Sequence, residues 1–135
     1  MTHTCTIDVR FAELDPYGHV NHAVYVTYLE VARTEALAAC GIPLDEMAGR
    51  GVQLVVTTLN VRYRRAATAG DRLTVETSVA ELRRARGTWR QRILRGDEEL
   101  VTAEVTAGVT DADGRPIRPP DWLYPALRQL LPPSA

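Results

Sequence analysis

The sequence predicts an α+β domain, an antiparallel sheet packed against one long helix. Three observations carry this. Residues 22–40 place apolar side chains at helical spacing, residues 51–110 contain four segments with a two-residue period, and short turns join those four. Strands joined by hairpins run antiparallel, and a helix with a wide apolar arc must bury that arc on a sheet. At 135 residues the chain can build one core, so residues 1–135 are read as a single domain.

Each element has its own justification. Residues 4–11 alternate, with Ile7, Val9 and Phe11 on one face of a first strand. Pro16 and Gly18 then break the strand, since proline fixes φ and glycine permits a left-handed backbone. Asn21 is a suitable N-cap for the helix, and Gly41 is placed to end it. Tyr25, Leu29, Ala36 and Cys40 line one apolar stripe, with Val24, Tyr28, Val31 or Ala32, and Ala39 beside it. Thr27, Glu30 and Thr34 mark the polar side. Residues 43–50 form a connection with room for a helical turn.

From Gly51 onward, Val55, Thr57, Leu59, Val61 and Tyr63 alternate in one long strand, and Gly70 is the pivot of the turn that follows. Leu73, Val75, Thr77 and Val79 share a face of the next strand. Trp89, Gln91 and Ile93 do so in the one after it, which Gly96 and Asp97 turn into a final strand carrying Val101, Ala103, Val105, Ala107 and Val109. Asp113 and Gly114 make a turn, Pro116, Pro119 and Pro120 exclude a central strand, and a short helix is expected with Pro125 at its first position, ending before Pro132.

Composition narrows the function. The chain is 45% hydrophobic and 24% charged, with no apolar run near the roughly 20 residues of a membrane span. No secretory signal is visible at the N-terminus, and Cys5 and Cys40 show neither metal-ligand spacing nor a disulfide framework. Thiols of a reducing cytoplasm are the expectation. A net charge of −1 argues against general nucleic-acid binding. All sixteen basic residues are arginine, and ten of them fall in residues 62–95 against Asp71, Glu76 and Glu81. That segment reads either as a solvated sheet face or as a site for a phosphorylated ligand.

The chemistry concentrates just before the long helix. Asp15, His19, Asn21 and His22 lie within eight residues, next to a helix N-terminus whose free amide N–H groups favour negative charge. A carboxylate beside such donors suits attack on a thioester.

The string D-P-Y-G-H-V-N-H-A-V-Y, with Y-L-E-V-A-R-T-E after it, resembles the hotdog-fold acyl-CoA thioesterases of the 4-hydroxybenzoyl-CoA thioesterase type. Those proteins read D-x-x-G-H/V-V-N/Y-N/H-x-x-Y at this place, and R-R-A-A-T-A-G-D-R-L is similar to their P-A-x-x-G-D-x-L turn. The likeness covers nearly the whole chain. It implies a sheet wrapped around a central helix, hydrolysis of an acyl-CoA thioester without a cofactor or metal, and a homodimer or homotetramer with the site at the subunit interface.

The family pattern makes Asp15 the catalytic carboxylate, as general base or nucleophile, and gives position 22 (His22) the backbone N–H that polarises the thioester carbonyl. His19 matches the histidine of plant-type fatty acyl-carrier-protein thioesterases, which implies a carrier-protein thioester as the alternative substrate. Tyr17 departs from the asparagine of those proteins. A different D/H spacing, that of enoyl-hydratase hotdog proteins, is absent. Glu30 is the helix carboxylate that a second hotdog group would use, although Arg33 and Thr34 one turn on suggest a structural contact. Arg83, Arg84 and Arg86 fall where the family holds the phosphates of coenzyme A.

Overall fold

The computed structural model describes residues 1–132. Five strands, β1 (His3–Asp8), β2 (Gln53–Tyr63), β3 (Arg72–Leu82), β4 (Arg86–Arg95) and β5 (Glu98–Thr110), form one antiparallel sheet in the order β1-β3-β4-β5-β2. Helix α1 (His22–Ala39) connects the two edge strands and lies across one face of the sheet. Register shifts between Val56 and Thr58, between Val79 and Glu81, and between Ile93 and Leu94 are bulges, which bend strands and tighten twist. They let the sheet curl around α1.

Alternation decides which side chains meet the helix. Leu73, Val75, Thr77 and Val79 of β3, Trp89, Gln91 and Ile93 of β4, and Val101, Ala103, Val105, Ala107 and Val109 of β5 are all buried, as the two-residue period requires. Against them α1 buries Tyr25, Tyr28, Leu29, Ala32, Arg33, Ala36 and Leu37. Fully burying one leucine such as Leu29 stabilises the fold by about 2 kcal/mol. The core divides into two clusters along α1. One gathers Val20, Tyr25, Tyr28 and Leu29 over Leu73, Ile93 and Val101; the other gathers Ala36, Leu37 and Cys40 over Val79, Trp89 and Val105. Between them sits a polar node: Arg33 Nη1 donates to Gln91 Oε1 at 2.9 Å, and Gln91 Nε2 donates to the Leu29 carbonyl and to Thr77 Oγ1.

The ends of α1 follow the sequence. Asn21 Oδ1 accepts from the Ala23 N–H at 2.9 Å, and Gly41 takes φ +85° just beyond the C-cap. Helix α2 (Leu44–Gly49) is the turn expected in the connection, and α3 (Leu123–Leu127) with a following 3₁₀ turn (Arg128–Leu130) closes the second cluster.

Three expectations change. The first strand stops at Asp8, and Phe11 lies in a 3₁₀ turn (Phe11–Glu13) with 86% of its surface exposed. The β2 bulge interrupts the single alternation, and most of this edge strand is exposed on both faces. Pro125 stands third in its helix instead of first, a place where the missing N–H still costs no intrahelical bond. No helix among the described residues is long and apolar enough to cross a membrane.

Candidate active site

The segment after β1 is shaped by carboxylates that bond to backbone. The Val9 N–H donates to the Asp71 carbonyl, and Glu13 Oε1 accepts from the Arg10 N–H and from the Tyr28 hydroxyl, each at 2.8 Å. These bonds pull the chain out of the strand. Leu14 then bridges Val20, and the chain between them is a tight hairpin: the Asp15 N–H donates to the His19 carbonyl at 2.6 Å and the Gly18 N–H to the Asp15 carbonyl at 3.0 Å. Gly18 adopts φ +79°, which a side chain would resist.

Asp15 is half-buried, and its two oxygens differ. Oδ1 accepts from the Tyr17 N–H at 2.8 Å and the His19 N–H at 3.1 Å. Oδ2 has no hydrogen-bond partner among the described residues. One oxygen fixes the carboxylate and the other stays open for chemistry.

A second loop pins this hairpin. The Val20 N–H donates to the Ala67 carbonyl at 2.9 Å, His19 bridges Thr68, and the Ala67 N–H donates to the Tyr25 hydroxyl at 2.9 Å. Asp71 organises that loop. Its Oδ2 accepts from the Thr68 N–H and hydroxyl and from Arg95 Nη1, while Arg95 also reaches the Ala66 carbonyl. The Thr68 N–H, and after it Arg95, holds the Asp71 carboxyl below its ordinary range.

At the head of α1, Tyr63 donates from its hydroxyl to the His22 carbonyl at 2.8 Å, and its ring packs edge-on against Tyr25 with centroids 5.5 Å apart. The His22 N–H, first of the helix, has no acceptor among the described residues. The hairpin that ends in α1 thus carries a carboxylate with one open oxygen and, at the first helical residue, an unsatisfied amide donor.

The structure brings Asp15, His19 and His22 together and leaves both imidazoles exposed. Glu30 points to solvent two turns along α1, where its carbonyl accepts from the Thr34 hydroxyl. Arg83 and Arg84 lie in the turn between β3 and β4, and Arg86 opens β4, at the opposite end of β3 from the 66–71 loop. Ten strand steps separate those ends, roughly 30 Å, so one chain does not bring them to Asp15. Arg83 is paired with Glu81 at 2.9 Å, whereas Arg84 and Arg86 are exposed and make no salt bridge among the described residues.

The rest of the arginine-rich segment is a sheet face. A trough of about 550 Å³ on the side away from α1 is lined by Arg62, Arg64, Arg90, Arg92, Glu76 and Glu99 among others. Arg92 pairs with Glu76 and Glu99, Arg64 with Glu99, and Arg90 with Glu104. Its charges largely cancel one another, and it is remote from the hairpin. Tyr25 closes the D-P-Y-G-H-V-N-H-A-V-Y string and Asp71 falls in the G-D turn, whereas the bond from Tyr63 to the His22 carbonyl joins residues far apart in sequence.

A helix cradled by a curled antiparallel sheet, its N-terminus open beside a carboxylate, is the arrangement of the hotdog fold. The chain belongs to the thioesterase-like superfamily, whose family profile matches residues 9–127. It is 35% identical over 98 residues to the long-chain acyl-CoA thioesterase FadM of Escherichia coli, covering 73% of this chain and 74% of FadM. It is 32% identical over 120 residues to the chloroplastic acyl-acyl carrier protein thioesterase ATL3 of Arabidopsis thaliana, covering 87% of this chain but only 63% of ATL3. The crystal structure of a hypothetical protein, TT1821 from Thermus thermophilus, superposes with a TM-score of 0.90 at 34% identity, covering 94% of this chain and 98% of that one.

Proposed function

We propose that this chain hydrolyses an acyl-CoA thioester to the free acid and coenzyme A, with Asp15 as the essential carboxylate. The observation that carries the reading is the asymmetry of Asp15: Oδ1 held by two backbone N–H groups, Oδ2 open, in a hairpin that leads directly into α1. In this reading Oδ2 takes a proton from water as the water oxygen bonds to the thioester carbonyl carbon. The oxyanion forms against the His22 N–H, a donor worth roughly 3–4 kcal/mol in comparable sites. Collapse breaks the C–S bond, and the departing thiolate takes the proton back from Asp15. His22 acts through its backbone, and His19 braces the turn through its own N–H and carbonyl.

Support for coenzyme A as the carrier comes from the likeness to FadM and from the exposed guanidinium groups of Arg84 and Arg86. Their distance from Asp15 within one chain requires that a second copy present them, so the reading includes a homodimer or larger homo-oligomer. The ATL3 relative favours a second reading, release of an acyl chain from a carrier protein. The cytoplasm is the inferred compartment, since Cys5 and Cys40 are both unpaired and buried thiols.

Free-thiol release from a panel of aliphatic and aromatic acyl-CoAs tests the first reading. Wild type should turn over at least one member, and Asp15→Asn should lower kcat/KM at least about a hundredfold, roughly 2.7 kcal/mol of barrier. Turnover that survives the substitution would remove Asp15 from the chemistry. The arginines have a separate test. Arg84→Ala with Arg86→Ala should raise KM about tenfold for acyl-CoA and leave it unchanged for the phosphate-free acyl-pantetheine. An equal effect on both substrates would deny them a phosphate role.

A further inference from the structure

Tyr25 is 3% exposed, so its hydroxyl is shut off from bulk water and needs protein or bound-water partners. Its oxygen accepts from the Ala67 N–H at 2.9 Å, and no acceptor for its own hydrogen lies among the described residues. The two tyrosines packed around it differ in this respect. Tyr28 donates to Glu13 Oε1 and Tyr63 donates to the His22 carbonyl, both at 2.8 Å. Their rings lie 6.2 Å and 5.5 Å from that of Tyr25, both edge-on, and hold the ring still. Only the hydroxyl rotor of Tyr25 remains to be placed.

The surrounding backbone says which way it faces. Ala67 donates its N–H to the Tyr25 oxygen and accepts the Val20 N–H on its carbonyl, and Val20 bridges Leu14, the neighbour of Asp15. One residue, Ala67, thus ties the Tyr25 hydroxyl to the hairpin that carries the open oxygen. Burial first, with Asp15 and Tyr63 adding to it and the Ala67 N–H opposing, keeps this phenol above its ordinary range. The phenol therefore keeps its proton at neutral pH.

The geometry points to Tyr25 as a further catalytic group: its hydroxyl donates to a water that in turn donates to Asp15 Oδ2, and so fixes the water that attacks the thioester. A water accepting from Tyr25 and donating to Asp15 keeps a lone pair free for the carbonyl carbon. Tyr25 keeps its proton throughout, and Asp15 receives the one that the water gives up. This inference rests on the reading of Asp15 as the reacting carboxylate.

The charged and titratable groups near Tyr25 and Asp15 come from several elements. They are Asp15, His19 and His22 on the hairpin and helix head, Glu13 tied to Tyr28, Tyr63 on β2, and Asp71 tied to Arg95 across the 66–71 loop. Both histidines are exposed and are present in every variant below.

The test measures hydrolysis of one acyl-CoA across pH by wild type, Tyr25→Phe and Asp15→Asn, with thermal midpoints for each. Tyr25→Phe should lower kcat ten- to a hundredfold with KM within twofold, and its acid limb in kcat/KM should move to higher pH, because the carboxylate loses support for its charged form. A ring-monofluorinated tyrosine at position 25 keeps the shape and strengthens the donor, so its limb should move to lower pH; it also decides the matter if Tyr25→Phe does not fold. A Tyr25→Phe enzyme with wild-type kcat and limb would overturn the inference, as would a fluorinated enzyme with an unmoved limb. Either of those results, beside an inactive Asp15→Asn, leaves Asp15 in place; an active Asp15→Asn overturns both readings together.

Discussion

Arg33 is the one charged residue in the core of the described chain, and no carboxylate stands at salt-bridge distance from it. Burial pulls its guanidinium below the ordinary arginine range, with Glu30 opposing. The neutral side chain of Gln91 satisfies it instead, and passes the connection on to Thr77 and to the Leu29 carbonyl. Such a node costs heavily when broken on one side and little when replaced on both. Gln91→Leu should therefore destabilise the protein by about 3 kcal/mol, read from the urea midpoint, and adding Arg33→Met should recover most of the loss. Additive single effects would show that the pair is not coupled. Cys5 illustrates the other use of burial. Its thiol is pushed up to about 11, by desolvation first and Glu35 after it, so it stays protonated and poorly nucleophilic at neutral pH.

Among elements, the 66–71 loop sets the position of the hairpin, and Asp71 sets the loop. Its folded pKa lies below the unfolded value, so its contribution is present above about pH 4 and fades as pH falls through the folded pKa. Asp71→Asn should cost about 1–2 kcal/mol at neutral pH and make stability less dependent on pH below 4, as measured by urea titration at several pH values. An unchanged acid slope would exclude Asp71 as the source.

The sequence announced this loop through Gly70 but could not announce its partners, because Arg95 lies in another strand. Local signals were reliable where one residue sufficed: Asn21 as cap, Gly41 as terminator, and the alternation of β3, β4 and β5. They failed where a distant acceptor decided. Phe11 fits a strand pattern, yet Glu13 and Asp71 capture the backbone just before it. Thr57 fits an alternation that a bulge against β5 interrupts. Asp15 was legible as a candidate carboxylate because its hairpin is local; Tyr25 was legible only as the last residue of the D-P-Y-G-H-V-N-H-A-V-Y string, since its Ala67 partner lies in another loop.

At the scale of the molecule, β2 stands at an open edge and exposes apolar side chains, with Val56 at 46% and Leu59 at 39%. It contains neither proline nor lysine, the usual protections of a free edge. Tyr17, 84% exposed, adds a ring beside Asp15. The proposed homo-oligomer would cover this surface. Leu59→Arg should shift the protein toward monomer in sedimentation velocity and lower activity together with it, whereas an unchanged sedimentation coefficient would place the contact elsewhere.

The order β1-β3-β4-β5-β2 has a further consequence. Neighbours in the central three strands are joined by short turns, so they can meet early as the chain collapses. The two edges must wait, since Cys5 pairs with Val75 and Leu59 with Val105 across long stretches of chain. The Asp15 hairpin is fastened to the slow side, through Val9 to Asp71 and through Val20 to Ala67. During refolding, tryptophan burial at Trp89 in the meander should therefore precede the return of the proposed hydrolysis, and a chain can be native at its centre before its hairpin is fastened.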